Sequence, residues 1–291
     1  MKPPPFVYHG PATLGEALDV LAEAGPGGKV LAGGQSLIPL LNMRLAAPAH
    51  IVDVNRVPGL DGIEAGPPGV RVGALARHAA VERSPGAAAA QPLLRQALRL
   101  VAHPVIRNRG TVVGSLVHAD PAAEMPAVLA LLGGSVRLAS RGGEREAPAA
   151  EFFTGPMESA LRPGELALSA FFPALPPRSG TAFHEVARRH GDYAVAGVAA
   201  AVTLDEDLRV AAARVACVSV GPVPVVLDVT AACGPRPAAS IKWEAVAEAV
   251  RDRIDPEGDI HATADYRRHL AGVLAARALR DAASAARGEE S

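Results

Sequence analysis

Two short stretches set glycine beside hydrogen-bonding side chains. The first is Val30-Leu31-Ala32-Gly33-Gly34-Gln35-Ser36-Leu37, and the second runs from Arg109 through Gly110, Thr111, Val112, Val113 and Gly114 to Ser115. Glycine admits positive φ and lets another group press against the backbone. Successive N–H groups in such a turn converge on an anion, and a hydroxyl adds a neutral donor. Two loops of this kind together suit a pyrophosphate without much net positive charge. Taken singly, each is more simply an ordinary turn. No GxxxxGK[ST] is present, and "GPGGKV" follows a helix and precedes a strand, the reverse of a P-loop. "AGGQSL" also lacks the GxGxxG spacing of a Rossmann turn.

A second group of polar residues follows the second loop: His118, Asp120 and Glu124 in "HADPAAE". They span a loop and a helix start, with no second histidine at ligand spacing, so metal ligation is not expected. Structural hydrogen bonding, or ligand contact by Asp120, is the expectation instead. Cys217 and Cys233 are far from a CxxC spacing and read as buried thiols in a reducing cytosol.

The elements that must carry these loops can be read from pattern. Thr13 and Glu16 fit a capping box, and Leu14, Ala17, Leu18 and Leu21 keep helical spacing until Gly25-Pro26-Gly27. "KVLA" and "HIVDV" are strands, with a helix "SLIPLLNMRL" between them and Ser36 as its expected cap. "GVRVGAL" reads as a strand and "QPLLRQALRLV" as a helix. "NRGTVVGSLVHADPAAEM" reads mostly as loop, "PAVLALLG" as a buried helix and "SVRLASRGGEREA" as a hairpin. The strand "ELALSAFF" ends at Pro173. The Pro-rich "PALPPRSG" marks a domain boundary. Beyond it come three strands, "TAFHEVARR", "AVAGVAAAVTL" and "LRVAAARVACVSVG". Asp205-Glu206-Asp207 turns the second into the third. Two helices close the chain, about Lys242–Arg253 and Ala264–Ala286, the latter with Tyr266, Leu270, Val273 and Leu274 on one face. Trp243 reads as a packing residue, Arg267-Arg268 as a solvated face, and "RGEES" as a frayed end.

The fold class is α+β in two units, because the alternation is too irregular for a doubly wound sheet. The 291 residues, 49% hydrophobic and 20% charged, suffice for a substantial core. A net charge of −1 gives no electrostatic case for nucleic acid or an anionic membrane surface. No apolar run is long enough to span a membrane, and a cytoplasmic location is expected, including a peripheral position at the inner face of the membrane.

"VLAGGQSLIPLLNMRLAAPAHIVDVNRVPGL" and "VIRNRGTVVGSLVHADPAAEMPAVLALLGG" resemble the FAD-binding medium subunit of molybdenum hydroxylases, of the aerobic carbon monoxide dehydrogenase and xanthine dehydrogenase type. "EFFTGP", "ELALSAFFP", "RRHGDYAVAGVAAAV" and "ADYRRHLAGVLAARAL" extend the likeness, in order, over nearly the whole chain. The resemblance implies a two-part FAD-binding domain (PCMH/vanillyl-alcohol-oxidase-like) at residues 1–175, with subdomains of about 1–56 and 57–175. A smaller α+β domain, CO dehydrogenase flavoprotein C-terminal-like, follows at 179–287. It implies FAD as cofactor and an electron-transfer role. The implied partners are an iron–sulfur (2Fe-2S) small subunit and a large molybdenum-cofactor subunit, as a dimer of heterotrimers. Electrons would leave to a quinone, NAD or oxygen. A flavin-free structural subunit and a stand-alone flavin oxidase are the alternatives.

By the same resemblance, Val30, Leu31, Ala32, Gly33, Gly34, Gln35, Ser36 and Leu37 form one loop around the pyrophosphate. Thr111, Val112, Val113, Gly114 and Ser115 form the other, and Val101 joins the site. Gln35 and Ser36 would donate further bonds. Glu124 stands where relatives have an Asp bonded to the flavin's sugar chain, or else it balances a helix dipole. Val113 stands where relatives have glycine, so a left-handed backbone there would be strained. Tyr193 is expected beside the isoalloxazine or in the core. Ala167 would touch the ring through its backbone. His184 and Glu185 fall where relatives carry a lysine near the flavin. Arg107 and Arg109 are surface charges or face a partner. No side chain is expected to be a proton-transfer catalyst.

Overall fold

A computed structural model describes residues 2–289. The chain begins with a small parallel sheet in which His50–Asp53 lies between Val7–His9 and Gly28–Leu31. The helix Leu14–Ala24 packs on it through Ala17 and Leu21. Thr13 caps that helix by accepting from the Glu16 N–H, while the Glu16 carboxylate turns back to the Ala12 N–H at 2.8 Å. This is the capping pair read from the sequence, with the return bond one residue earlier.

An antiparallel five-stranded sheet follows, in the order Ile63–Gly66, Gly69–Gly73, Leu166–Pro173, Ser135–Ser140, Gly143–Pro148. Its central strand arrives late in the chain, so the helices between must cover one face. Pro92–Leu98, Val112–His118 and Glu124–Leu132 do so, burying Leu93, Leu94, Leu116, Leu129, Phe152 and Phe172. An antiparallel four-stranded sheet comes next, Ser179–Ala187, Ala194–Leu204, Val210–Val218 and Val225–Asp228, neighbours in chain order.

Strand alternation divides this last sheet between two cores. Ala196, Val198, Ala200 and Val202 meet the long helix Ala264–Ala286. Ala199, Ala216 and Val218 join the core around Leu129, beside the helix Glu124–Leu132. The helix–sheet approach is close enough that a Cβ on Gly180 would sit 2.1 Å from the Ala282 carbonyl oxygen. Small residues on both elements make that approach sterically possible.

Four readings change. The stretch expected to be loop contains the helix Val112–His118 and the start of Glu124–Leu132. Thr111 caps the first by accepting from the Gly114 N–H, and Ala119 ends it in the left-handed region. The scattered glycine concealed an apolar stripe of Val112, Val113 and Leu116. Ser36 precedes the helix Leu37–Asn42 without a capping bond. The buried stripe of the last helix is Ala271, Leu274, Ala275, Ala278, Leu279 and Ala282, whereas Tyr266 is exposed. Arg267 is buried, donating to the Val195 and Ser219 carbonyls and to Asp259, so it is no solvated face.

Arg287 ends that helix and pairs with Glu289; Glu290 and Ser291, also expected to fray, lie outside the described residues. Trp243, Cys217 and Cys233 are buried. Among the described residues no helix is long and apolar enough to cross a membrane.

Candidate functional site

The two glycine loops meet. A Cβ on Gly33 would lie 2.4 Å from the Arg109 carbonyl oxygen and 2.8 Å from the Gly110 Cα. Only glycine permits this backbone-to-backbone contact. Gly34 takes φ of 72°, which lets the chain turn from the strand Gly28–Leu31 into the helix Leu37–Asn42. Among the described residues, the N–H groups of Gly34, Gln35 and Ser36 have no protein acceptor. Gln35 itself folds back, its side-chain amide donating to the Gly33 carbonyl at 3.1 Å. One of that amide's two N–H groups is therefore spent on shaping the loop.

A cavity of about 510 Å³ opens beside this junction. One wall is Val30, Ala32 and the turn Gly33–Leu37. The facing wall is Thr111 and Val113–Ser115, with Val101 and Ala167 behind them. Asp120 and Glu124 close the polar end, and Gly191, Asp192 and Tyr193 reach over from the C-terminal sheet. Tyr193 is 66% exposed, so its ring stands at the cavity rather than in the core. The space is of the size and concave, mostly apolar character typical of cofactor sites.

Val113 lies inside a helix with a right-handed backbone and is 2% exposed. The strain expected there does not arise. Three other residues stand apart from the cavity lining. Leu31 and Val112 lie beside lining residues without lining it themselves. His184 points to the far face of its sheet, where its Nε2 lies 2.6 Å from Asp281 on the last helix. Strand alternation puts Glu185 on the near face instead, opposite Gly197. Arg107 is no surface charge: it bonds Glu82 and the Val101 and Ala102 carbonyls, fixing the turn that leads into the second loop.

Burial raises the pKa of two carboxyls at and near the polar end of the cavity. Glu124 is 9% exposed. Burial, reinforced by the charges of Glu185 and Asp120, pushes its carboxyl up to about 8. Burial pushes Glu185 up to about 7, and one of its carboxyl oxygens is buried without a partner. Asp120 is anchored differently, accepting from the Ala122 N–H at 2.8 Å.

Sequence reasoning missed three residues here. His78 is buried against Gly110. Burial and then the Arg107 charge hold its pKa down to about 4, so it is neutral. Asn55 and Arg77 bond to the loops from behind. Their one sequence signal is position: Asn55 just after a strand and Arg77 just before a helix.

Residues 4–175 match the family described as FAD binding domain in molybdopterin dehydrogenase, and residues 181–282 match the CO dehydrogenase flavoprotein C-terminal domain. The chain belongs to this flavoprotein family. As a medium, FAD-binding subunit of the molybdenum hydroxylase type, it is an oxidoreductase subunit, and its cofactor is FAD. It is 40% identical to the 6-hydroxypseudooxynicotine dehydrogenase complex subunit alpha of Paenarthrobacter nicotinovorans, over 99% of this chain and 97% of that one. It is 34% identical to the carbon monoxide dehydrogenase medium chain of Hydrogenophaga pseudoflava, over 96% and 97%. Among solved structures, a chain of quinoline 2-oxidoreductase from Pseudomonas putida 86 matches with a TM-score of 0.91 and 35% identity, covering 98% of this flavoprotein and 99% of that chain. The fold class read from the sequence, α+β with a two-part FAD-binding domain and a smaller C-terminal domain, is the fold of this family.

The residues present fit FAD. Unpaired amides of the first loop suit a diphosphate, the Glu124 carboxyl on the cavity wall suits a hydroxyl-bearing chain, and the exposed Tyr193 ring suits a flat aromatic face.

Proposed function

We propose that this flavoprotein subunit carries electrons between the iron–sulfur clusters of a small partner subunit and an external acceptor, a quinone, NAD or oxygen. A third, molybdenum-containing subunit would oxidise the substrate. The observation that carries this reading is the meeting of two glycine loops, from separate subdomains, along one cavity that Tyr193 also lines.

FAD supplies the redox chemistry, exchanging electrons singly or in pairs. This chain's residues would bind and orient it. The turn Gly33–Leu37 would hold the diphosphate with main-chain amides, and the segment Thr111–Ser115 with the amides of Thr111 and Val113 and the hydroxyl of Ser115. Glu124 would bond the sugar chain, and as a protonated acid at neutral pH it would donate as well as accept. Ala167 would sit against the ring edge and Tyr193 would cover a ring face. Residues 1–175 and 179–287 would act as the two domains. The flavin-free alternative loses one motive, because Val113 is unstrained in its helix.

Relatives are named for nicotine-type compounds, caffeine, carbon monoxide and glyceraldehyde. That variety on one fold supports a substrate choice made outside this subunit. Its two buried thiols, Cys217 and Cys233, suit the reducing cytoplasm.

The test is reconstitution with an iron–sulfur subunit and a molybdenum-cofactor subunit of the same organism. With substrate present, the complete complex should bleach flavin absorbance and reduce acceptor. A complex lacking this chain should still reduce its clusters but pass no electrons to the acceptor. Full acceptor reduction without this chain would refute the role.

A further inference from the structure

The two loops are joined behind the cavity by a pair of side chains with no part in the family reading above. Asn55 follows the strand His50–Asp53, in the first subdomain. Its Nδ2 donates to the Ala32 carbonyl at 2.9 Å, at the base of the first glycine turn. Arg77 immediately precedes the second subdomain's helix His78–Arg83. Its Nη2 donates to the Asn55 Oδ1 at 2.7 Å, and its Nη1 donates to the Arg109 carbonyl at 2.6 Å. That Arg109 carbonyl is the group against which Gly33 packs.

A continuous path therefore runs Ala32, Asn55, Arg77, Arg109. It closes a ring with the direct Gly33–Arg109 contact. Asn55 is itself held: its backbone N–H and its Nδ2 both donate to the Asp53 Oδ1, and Tyr8 donates to the other Asp53 oxygen at 2.7 Å. On the other side, the His78 N–H donates to the Gly110 carbonyl and the Val112 N–H to the Ala76 carbonyl. Each loop is thus fixed to its own subdomain, and the Asn55–Arg77 pair fixes one subdomain's loop to the other's.

We propose that Arg77 and Asn55 form a latch that sets the spacing of the two glycine loops, and so governs how tightly the chain holds a dinucleotide diphosphate. The latch rests on the FAD reading given above. They are positioning residues: they reach the ligand only through the carbonyls they hold. Arginine is required for its shape. Its planar fork serves two acceptors that lie in different directions, whereas a lysine ammonium on a flexible stem keeps the charge but not the fork. A purely electrostatic role, attracting the diphosphate, would be kept by lysine. That difference separates the latch from a simple charge effect.

The experiment is fluorescence titration of flavin-free full-length chain with FAD, for wild type, R77K, N55A and the double variant. R77K and N55A should each weaken FAD binding about tenfold to a hundredfold, the range expected for losing hydrogen bonds to a charged group. The double variant should lose no more than the worse single one, because each change opens the same latch. At saturating FAD, the phosphorus resonances of the bound diphosphate should move in R77K and N55A. They should stay in place in L279A, which weakens the distant C-terminal core. R77K binding FAD within twofold of wild type, additive losses in the double variant, or an unmoved phosphorus spectrum would each overturn the latch. A wild-type chain that takes up no FAD would instead overturn the cofactor reading, and the latch with it.

Discussion

Gly33 shows how much can rest on an absent side chain. Its Cβ would collide with the Arg109 carbonyl, and no flexible side chain is there to give way. G33A should therefore push the loops apart, and FAD binding should fall at least about tenfold, measured by titration against wild type. Glu124 makes a different prediction. Its folded pKa, about 8, lies above the ordinary carboxylate value of 4.5. The folded chain then holds a proton that the unfolded chain releases, so stability falls as pH rises from 4.5 through about 8. Urea unfolding of the flavin-free chain at pH 6 and at pH 8.5 should show that fall, and E124Q should flatten it. An unchanged slope in E124Q would place the titration elsewhere. At this scale the sequence was most legible where chemistry is local. The glycines and Glu124 announce themselves by type, and the structure gathers them at one cavity. His184 and Glu185 could not be told apart, because a one-residue difference in a strand exchanges its faces. His184 meets Asp281, and Glu185 lies on the opposite face, close enough for its charge to act on Glu124.

Among the elements, the short helix Val112–His118 positions the second loop, and Thr111 sets its start. T111A removes the oxygen that accepts from the Gly114 N–H. It should cost about 1 kcal/mol in unfolding free energy, with a further loss of FAD affinity because the loop amides lose their fixed direction. This helix was hidden in the sequence by its two flanking glycine-and-polar segments, which look like loop. Its apolar residues become informative only once the sheet beneath them is known. Long elements behaved otherwise: the helix Ala264–Ala286 has the bounds its pattern predicts. Its buried face did not follow from the large side chains. Close packing against the sheet selects alanine, and alanine carries little directional signal. Short strands such as Val7–His9 and Val225–Asp228 exist only by pairing with distant partners, so their local sequence could not reveal them.

Across the whole molecule, the cavity is assembled from three layers, and the C-terminal sheet must be held in register with the other two. Arg267 does much of this. It donates to the Val195 carbonyl at 3.0 Å and to the Ser219 carbonyl at 3.1 Å, and Ser219 in turn donates from its N–H to the Pro121 carbonyl at 2.9 Å. Val195 is two residues from Tyr193, and Pro121 adjoins Asp120. R267M should cost about 2 kcal/mol of stability by stranding those carbonyls, and it should raise the mobility of Tyr193, read as weaker quenching of bound flavin. The sequence offered only an Arg-Arg pair on a helix, because the acceptors are carbonyls of distant strands. The family likeness, by contrast, was legible over nearly the full chain, since two distant loops and their connecting elements occur in order.

The central claim is that both loops together cradle one FAD. Its most direct measurement is a crystal structure of the chain with FAD bound. The account predicts the diphosphate lying between the turn Gly33–Ser36 and the segment Thr111–Ser115, accepting hydrogen bonds from main-chain amides of both, with Tyr193 against the flavin ring. A diphosphate held by one loop alone, or bound outside this cavity, would contradict it.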